Sequence, residues 1–317
     1  MRRGTRLVQE NRSRMTITHA PPTAARRQKG RWIPYVLVAP FLLALAVFIL
    51  GPLLISMVNS LFVERLIGGI TFVGLENYAR ALTDANFWEG FGRLLLYGVI
   101  FTPLTIGLSL LIAVVVDSGA VRGSGFYRAL YFIPYAIPGV VATLMWGFLY
   151  GPTISPFTDM AEAVGLEGLN LLSPQFVLFA IGNIGIWAFV GYNVMIFYAA
   201  LRAIPEEIYE AAILDGAGRW RIGFSIKLPM IKPVITMVVI FSIIGTVQLL
   251  TEPLVLQPLQ PRSIEDNFTP NMYAYSLAAG GQQLNYVAAI SFFMGLVVVA
   301  LSVVYSKFMN RPEKGAS

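Results

Sequence analysis

The hydrophobic positions of this chain are gathered into six uncharged runs, residues 32–63, 94–116, 131–158, 168–201, 233–251 and 268–306. A helix of about 20 apolar residues crosses ~30 Å of hydrocarbon, and a charge at its centre costs about 2.5–3.5 kcal/mol. Runs of this length and purity therefore read as membrane spans. The third, fourth and sixth exceed a single crossing and carry Pro, Gly or Asn near one end, so their spans are trimmed to 130–150, 176–201 and 286–306. The first, at 32 residues, is too long for the apolar region of a signal peptide and no small-residue cleavage site closes it, so it reads as a permanent span. The pattern predicts an all-α membrane protein with six transmembrane helices.

Between the runs the charges are sorted. The segments 1–31, 117–129, 202–232 and 307–317 hold nineteen of the 23 Lys and Arg, whereas 64–93, 151–175 and 252–285 hold four. By the positive-inside rule both termini are expected in the cytoplasm, as an even number of spans requires. Residues 1–31, with nine basic groups, Pro21-Pro22 and no apolar period, read as a disordered tail or an anionic-lipid contact, and Met15 is a second candidate start. Residues 32–306 are the transmembrane domain, and 307–317 form a short cytoplasmic tail. In the outer segment 64–93, Phe72, Leu75, Tyr78 and Leu82 fall at helical spacing ahead of Phe87 and Trp88. They predict a short amphipathic helix at the outer interface, either capping the bundle or meeting an external protein.

Composition narrows the chemistry. With 56% hydrophobic and 13% charged residues the chain is not a soluble enzyme. It has no cysteine and one histidine, His19 in the tail, which removes thiol nucleophiles, Cys-ligated metals and most imidazole catalysis. No G-x-x-x-x-G-K-[ST] occurs, so any ATP that drives it is bound elsewhere. No catalytic residue and no metal site is predicted.

The segment 202–232 is more patterned than a linker needs. Pro205 suits a first helical position, Glu206 and Glu207 favour the positive end of the helix dipole, and Gly216 suits the residue just past the helix end. A helix of about three turns follows, with Ile208, Ala211, Ala212 and Asp215 on one face and Glu206 stacked over Glu210 on another. A second short segment, 220–227, leads through Leu228-Pro229 into the next span. The order Glu210-Ala211-Ala212, three residues, Gly216, nine residues, Ile226-Lys227-Leu228-Pro229 resembles the EAA loop of bacterial ABC importer permeases, E-A-A-x3-G-x9-I-x-L-P. Phe72-Val73-Gly74-Leu75-Glu76-Asn77-Tyr78 and the stretch from Gly125 to Pro134 are similar to sugar-uptake permeases of the maltose and glycerol-3-phosphate type. The resemblance covers residues 33–306.

That resemblance implies a fold, partners and a mechanism. The chain would be one permease of the bacterial inner membrane, paired with a second homologous permease, with two copies of a cytoplasmic ATPase that bind ATP and Mg, and with an extracytoplasmic binding protein that delivers the solute. It would bind no cofactor itself. Glu210 would meet a basic group of the ATPase, Ala211 and Ala212 would allow close seating, Gly216 would make the turn, and Leu228-Pro229 would fix the exit into the fifth span, with Asp215 and Ile226 completing the loop. The cargo implied is a sugar or related polyol.

Polar groups inside spans are costly and face a bundle interior or a cavity. Asn183, Tyr192 and Asn193 in the fourth span, Gln248 in the fifth, Glu252 at its outer end and Trp187 are the candidates for a solute path. Asn183 and Trp187 share a face, forming either a sugar platform or an interhelical contact. Gly147 and Gly151 form a G-x-x-x-G suited to close packing, and residues 269–283 either line the outer mouth or make an ordinary surface loop. A non-sugar permease of the same superfamily is the nearest alternative. A secondary transporter or charge-ringed channel would couple through buried carboxylates, which the trimmed spans lack.

Overall fold

A computed structural model of the protein describes residues 33–65, 67–119, 124–151, 155–163, 165, 168–281 and 283–309. The tail expected over 1–31, and the C-terminal tail past Met309, lie outside the described residues. The chain divides into two compact units, one ending at Leu53 and the other starting at Leu54. In the first, α1 (Ile33–Leu45) runs through a π-helical stretch (Ala46–Leu50) into the start of α2 (Gly51–Asn59). Pro52 has no N–H to give and its ring displaces a carbonyl one turn back, so the ladder slips and the Gly51 amide bonds Ala46 O.

The second unit takes in the end of α2 and then a hairpin, β1 (Phe62–Arg65) antiparallel to β2 (Gly69–Phe72), with Phe62 opposite Phe72. The first apolar run, read to residue 63, thus ends as strand. The buried Asn77 amide donates to Ser60 O and Phe62 O, both at 2.8 Å, and that pins the exit of the span. Asn77 belongs to α3 (Glu76–Thr83), the short outer helix that the spacing predicts, but its inward face is Asn77 and Ala81. Leu75 and Leu82 point outward, because polar satisfaction of the backbone and the small Ala81 decide the packed side.

Next comes α4 (Ala85–Asp117), then α5 (Ser124–Ala136) and α6 (Gly139–Tyr150). These two are bent by 93° at Ile137 and Pro138, so the third span is broken rather than the continuous helix expected over 130–150. Pro138 drives Ile137 away from the helical region and cannot continue the hydrogen-bond ladder. α7 (Pro156–Ala163) and α8 (Val177–Arg202) follow, then α9 (Glu206–Leu214), α10 (Arg219–Arg221), a π stretch (Ile222–Lys227) and α11 (Leu228–Met230). The chain closes with α12 (Lys232–Val247), α13 (Thr251–Leu256), α14 (Pro270–Ala279) and α15 (Leu284–Met309). Among the described residues five helical stretches are long and apolar enough to cross a membrane, and the count reaches six when the bent pair is taken as one span.

Residues 269–283 are not an irregular loop. Thr269 Oγ1 accepts the Met272 amide at 3.2 Å and Pro270 takes the first helical position, so α14 is a capped helix that buries Met272 and Tyr273.

Two apolar clusters are strung along α4. One gathers Leu94, Phe101, Ile181, Ile184, Leu256 and Tyr286, the other Ile106, Val114, Val194, Phe197, Leu201 and Val238. α4 and α8 meet closely because Gly182 and Gly185 of α8 leave room for the Phe101 ring and the Tyr97 hydroxyl. Gly147 in α6 does the same for Leu256 and Leu259, whereas Gly151, the other glycine of the predicted G-x-x-x-G, ends α6 and meets only carbonyls of its own helix. On α15 the first half buries Ala289, Ile290 and Met294, while further along Leu296, Val299 and Val304 are exposed, apolar surface suited to hydrocarbon.

At one end of the bundle Asp84 caps α4, accepting from the Asn86 amide at 3.0 Å and from the hydroxyls of Tyr273 and Tyr286 at 2.8 and 2.7 Å. Burial pushes this carboxyl upward, but the two phenols and the amides of Phe87 and Asn86 outweigh it and hold it below the usual range. The Tyr273 hydroxyl moves the other way, raised by burial and by the carboxylate it serves. A carboxyl lowered by folding stabilises above its unfolded pKa of about 3.9 and loses that contribution as pH falls through the folded value. Asp84→Asn is therefore expected to lower stability by about 1 kcal/mol at neutral pH, charge-assisted bonds being discounted for the group's partial exposure. Thermal melts of both proteins in detergent should converge as the pH drops below about 4.

Candidate functional site

The loop between the fourth and fifth spans folds as two helical segments meeting at Gly216. Pro205 takes the N-cap position with α9 starting at Glu206. The helix stops in a Schellman turn: Gly216 has φ +76°, its amide bonds Ile213 O and the Ala217 amide bonds Ala212 O, both at 2.9 Å. The position expected for a terminating glycine is the one used. Adjacent helical residues lie about 100° apart, which separates the alanines: Ala212 turns inward at 7% exposed and Ala211 outward. Of the two alanines, Ala212 is covered by its own chain and Ala211 is the one left at the surface.

Glu206, Glu207, Glu210 and Asp215 are exposed, and among the described residues no ion pair joins them to Arg219 or Arg221. Ile213 at 62%, Leu214 at 88% and Trp220 at 62% exposure leave apolar surface on this loop, and Trp220 stacks on Phe224. Of the remaining motif residues, Ile226 lies in the π stretch and Leu228 with Pro229 in α11.

Lys227, the unspecified position of I-x-L-P, is buried and paired with Asp117 at the end of α4, the side chains being 10% and 2% exposed. Its ammonium also sits 3.6 Å from the centre of the Tyr209 ring in α9, and Tyr209 Oη donates to Leu201 O at 2.8 Å. Gly223 packs against Val114 of α4, where an added Cβ would lie 2.6 Å from Cγ1. These contacts fasten both halves of the loop to the ends of α4 and α8. Sequence reasoning missed them; the available signal was one acid just past the second apolar run and one lysine shortly before the fifth, in segments of the same side.

The second site is a cavity of about 350 Å³ among α4, α8, α12 and the start of α13. It brings together Tyr192, Asn193, Gln248 and Glu252 with Tyr97 and Thr102. The fifth span makes room for them by breaking at residues 248–250, between α12 and α13. Tyr192 stacks on Tyr135 of α5 at 4.4 Å, and Thr102 bonds Thr246 across the cavity wall at 2.9 Å. The other two candidates face α6 instead. Asn183 Nδ2 donates to Tyr150 Oη at 2.7 Å, and Trp187 meets Trp146 edge-on at 5.7 Å. The shared face of Asn183 and Trp187 is real, and it is turned to the broken third span.

The model of one protein family, described as binding-protein-dependent transport system inner membrane component, matches residues 105–315. Among curated proteins, the sn-glycerol-3-phosphate transport system permease protein UgpA of Salmonella choleraesuis (strain SC-B67) is 29% identical over 89% of this chain and 95% of its own length. The probable ABC transporter permease protein YurN of Bacillus subtilis (strain 168) is 29% identical over 89% of this chain and 97% of its own. Among solved structures, a chain of a bacterial ABC transporter involved in the import of the acidic polysaccharide alginate superposes with a TM-score of 0.76 at 20% identity, covering 89% of this chain and 96% of that one. A second structure, of the alginate transporter in complex with an alginate pentasaccharide-bound periplasmic protein, gives 0.77 at 19% identity.

Proposed function

The chain belongs to the family of inner-membrane components of binding-protein-dependent transport systems, and on that premise we propose that it is the permease for a sugar or related polyol in an ATP-driven importer. It is a multi-pass inner-membrane transport subunit. In this reading both termini lie in the cytoplasm, a second permease completes the path, a pair of ATPases holds the ATP and Mg, and an extracytoplasmic binding protein delivers the solute. The names of the relatives, for glycerol phosphate and polysaccharide transport, support a polyhydroxyl cargo.

One observation carries the coupling role: α9 ends in a built turn at Gly216 and presents Glu210, Ala211, Ile213 and Leu214 outward. Apolar groups at a polar loop need a partner, and the buried Lys227–Asp117 pair gives the loop a rigid seat through which to pass a push into α4 and α12. Closure of the ATPases would rock the permeases about the cavity lined by Tyr192, Asn193, Gln248 and Glu252.

Gly216 offers the test, because an added Cβ there meets nothing within 4 Å and acts only through its φ of +76°. Gly216→Val costs about 1–2 kcal/mol of backbone strain in the turn. The chain is expected to insert and purify normally, while ATPase co-purification and solute-stimulated ATP hydrolysis fall at least several-fold. Unchanged values for both would remove the coupling role from this loop.

A further inference from the structure

We infer that the cavity selects its occupant by charge, admitting uncharged polyhydroxyl solutes and turning anions away, with Glu252 as the residue that sets this selectivity. The inference rests on the permease reading above and names the substrate class that reading leaves open.

Apart from Glu252 the lining is neutral: hydroxyls from Thr102, Thr105, Ser242 and Thr246, the amides of Asn193 and Gln248, and aromatic rings. Among the described residues no Lys, Arg or His lines it. An anion entering sheds water and meets no counter-charge. It faces a fixed carboxylate instead, in surroundings where Coulomb repulsion is far stronger than in bulk water. A neutral polyol is treated differently. Its hydroxyls donate to the carboxylate and to the Gln248 carbonyl, accept from the amides, and its C–H faces lie on the rings of Tyr97 and Tyr192. The Glu252 carboxyl is bonded by its own backbone amide and by no other described residue, so acceptor sites remain for an occupant. The relatives named for sn-glycerol-3-phosphate and for alginate handle anions; the charge pattern here fits another class.

The chain has no cysteine, which makes a single introduced thiol readable. Ser242→Cys is a near-isosteric change on the lining. In the assembled transporter in lipid nanodiscs, that thiol is treated with sulfonatoethyl and trimethylammonioethyl methanethiosulfonate. Modification of this chain is followed by mass, and rates are normalised to a free thiol. The cationic reagent is expected to react about tenfold faster, and Glu252→Gln in the same background should bring the ratio to within about twofold. A second arm measures protection of the thiol by maltose and galactose against galacturonate. A neutral sugar should protect, and the uronate should protect only once Glu252 is neutralised. A rate ratio near unity that Glu252→Gln leaves unchanged, or equal protection by galacturonate in the Glu252 protein, overturns the charge selectivity alone. A thiol that no solute of either charge protects overturns the permease reading together with it.

Discussion

Gly191→Ala is expected to abolish recovery of the folded protein. A Cβ built on Gly191 of α8 falls 1.6 Å from the Tyr131 carbonyl oxygen and 2.4 Å from its carbon, so the obstruction is backbone of α5, which has no rotamer to yield. Ordinary overpacking costs about 1–3 kcal/mol because side chains shift. Here the two helices must separate over the whole crossing, which also undoes the Tyr135–Tyr192 stack on the cavity wall. The loss should exceed that range and leave little monodisperse protein on fluorescence-detected size exclusion. Gly107 in α4 is the control, since a Cβ there meets nothing within 4 Å. Gly107→Ala should purify like the parent and melt at the same temperature or slightly higher. Equal recovery of both variants would mean that α5 and α8 do not approach this closely.

The contrast between these glycines shows where sequence reading stops. That residues 94–116, 176–201 and 286–306 cross as helices follows from solvent alone: hydrocarbon tolerates no unpaired backbone, so a long uncharged run has one outcome. Which proline breaks a helix does not follow from solvent. Pro103 sits inside α4 and Pro134 inside α5 without ending either, whereas Pro138 divides the third span, so the residue type alone does not decide. The same division runs through the candidate sites. Gly216 was legible because a Schellman turn is settled within six residues. Asn183 and Trp187 were legible as one face, since helical period is local, but not as facing α6, since the orientation of α8 is set by the fit of Gly182, Gly185 and Gly191 to partners on α4 and α5. Tyr192, Asn193, Gln248 and Glu252 could be chosen as costly polar groups, yet their convergence depends on the break at 248–250, which no local signal placed.

Lys227→Met is the second large effect, and it reaches function through the same non-local logic. Lys227 and Asp117 lie 110 residues apart and are both nearly sealed from water. Removing the lysine leaves the Asp117 carboxylate buried without its counter-ion, which typically costs about 3–5 kcal/mol, whereas replacing both charges by apolar groups of similar size is often neutral. The ammonium also holds the Tyr209 ring, so the single substitution frees α9 as well as the π stretch. Lys227→Met should therefore lower the melting temperature by several degrees and reduce solute-stimulated ATP hydrolysis. Asp117→Leu combined with Lys227→Met should recover most of the stability. The two readouts then separate: hydrolysis that recovers along with stability makes the pair a structural fastener, and hydrolysis that stays low in the stable double variant makes the ion pair part of the route by which the loop moves α4. Additive losses in the double variant would contradict the buried pair itself, because a shared interaction cannot be removed twice.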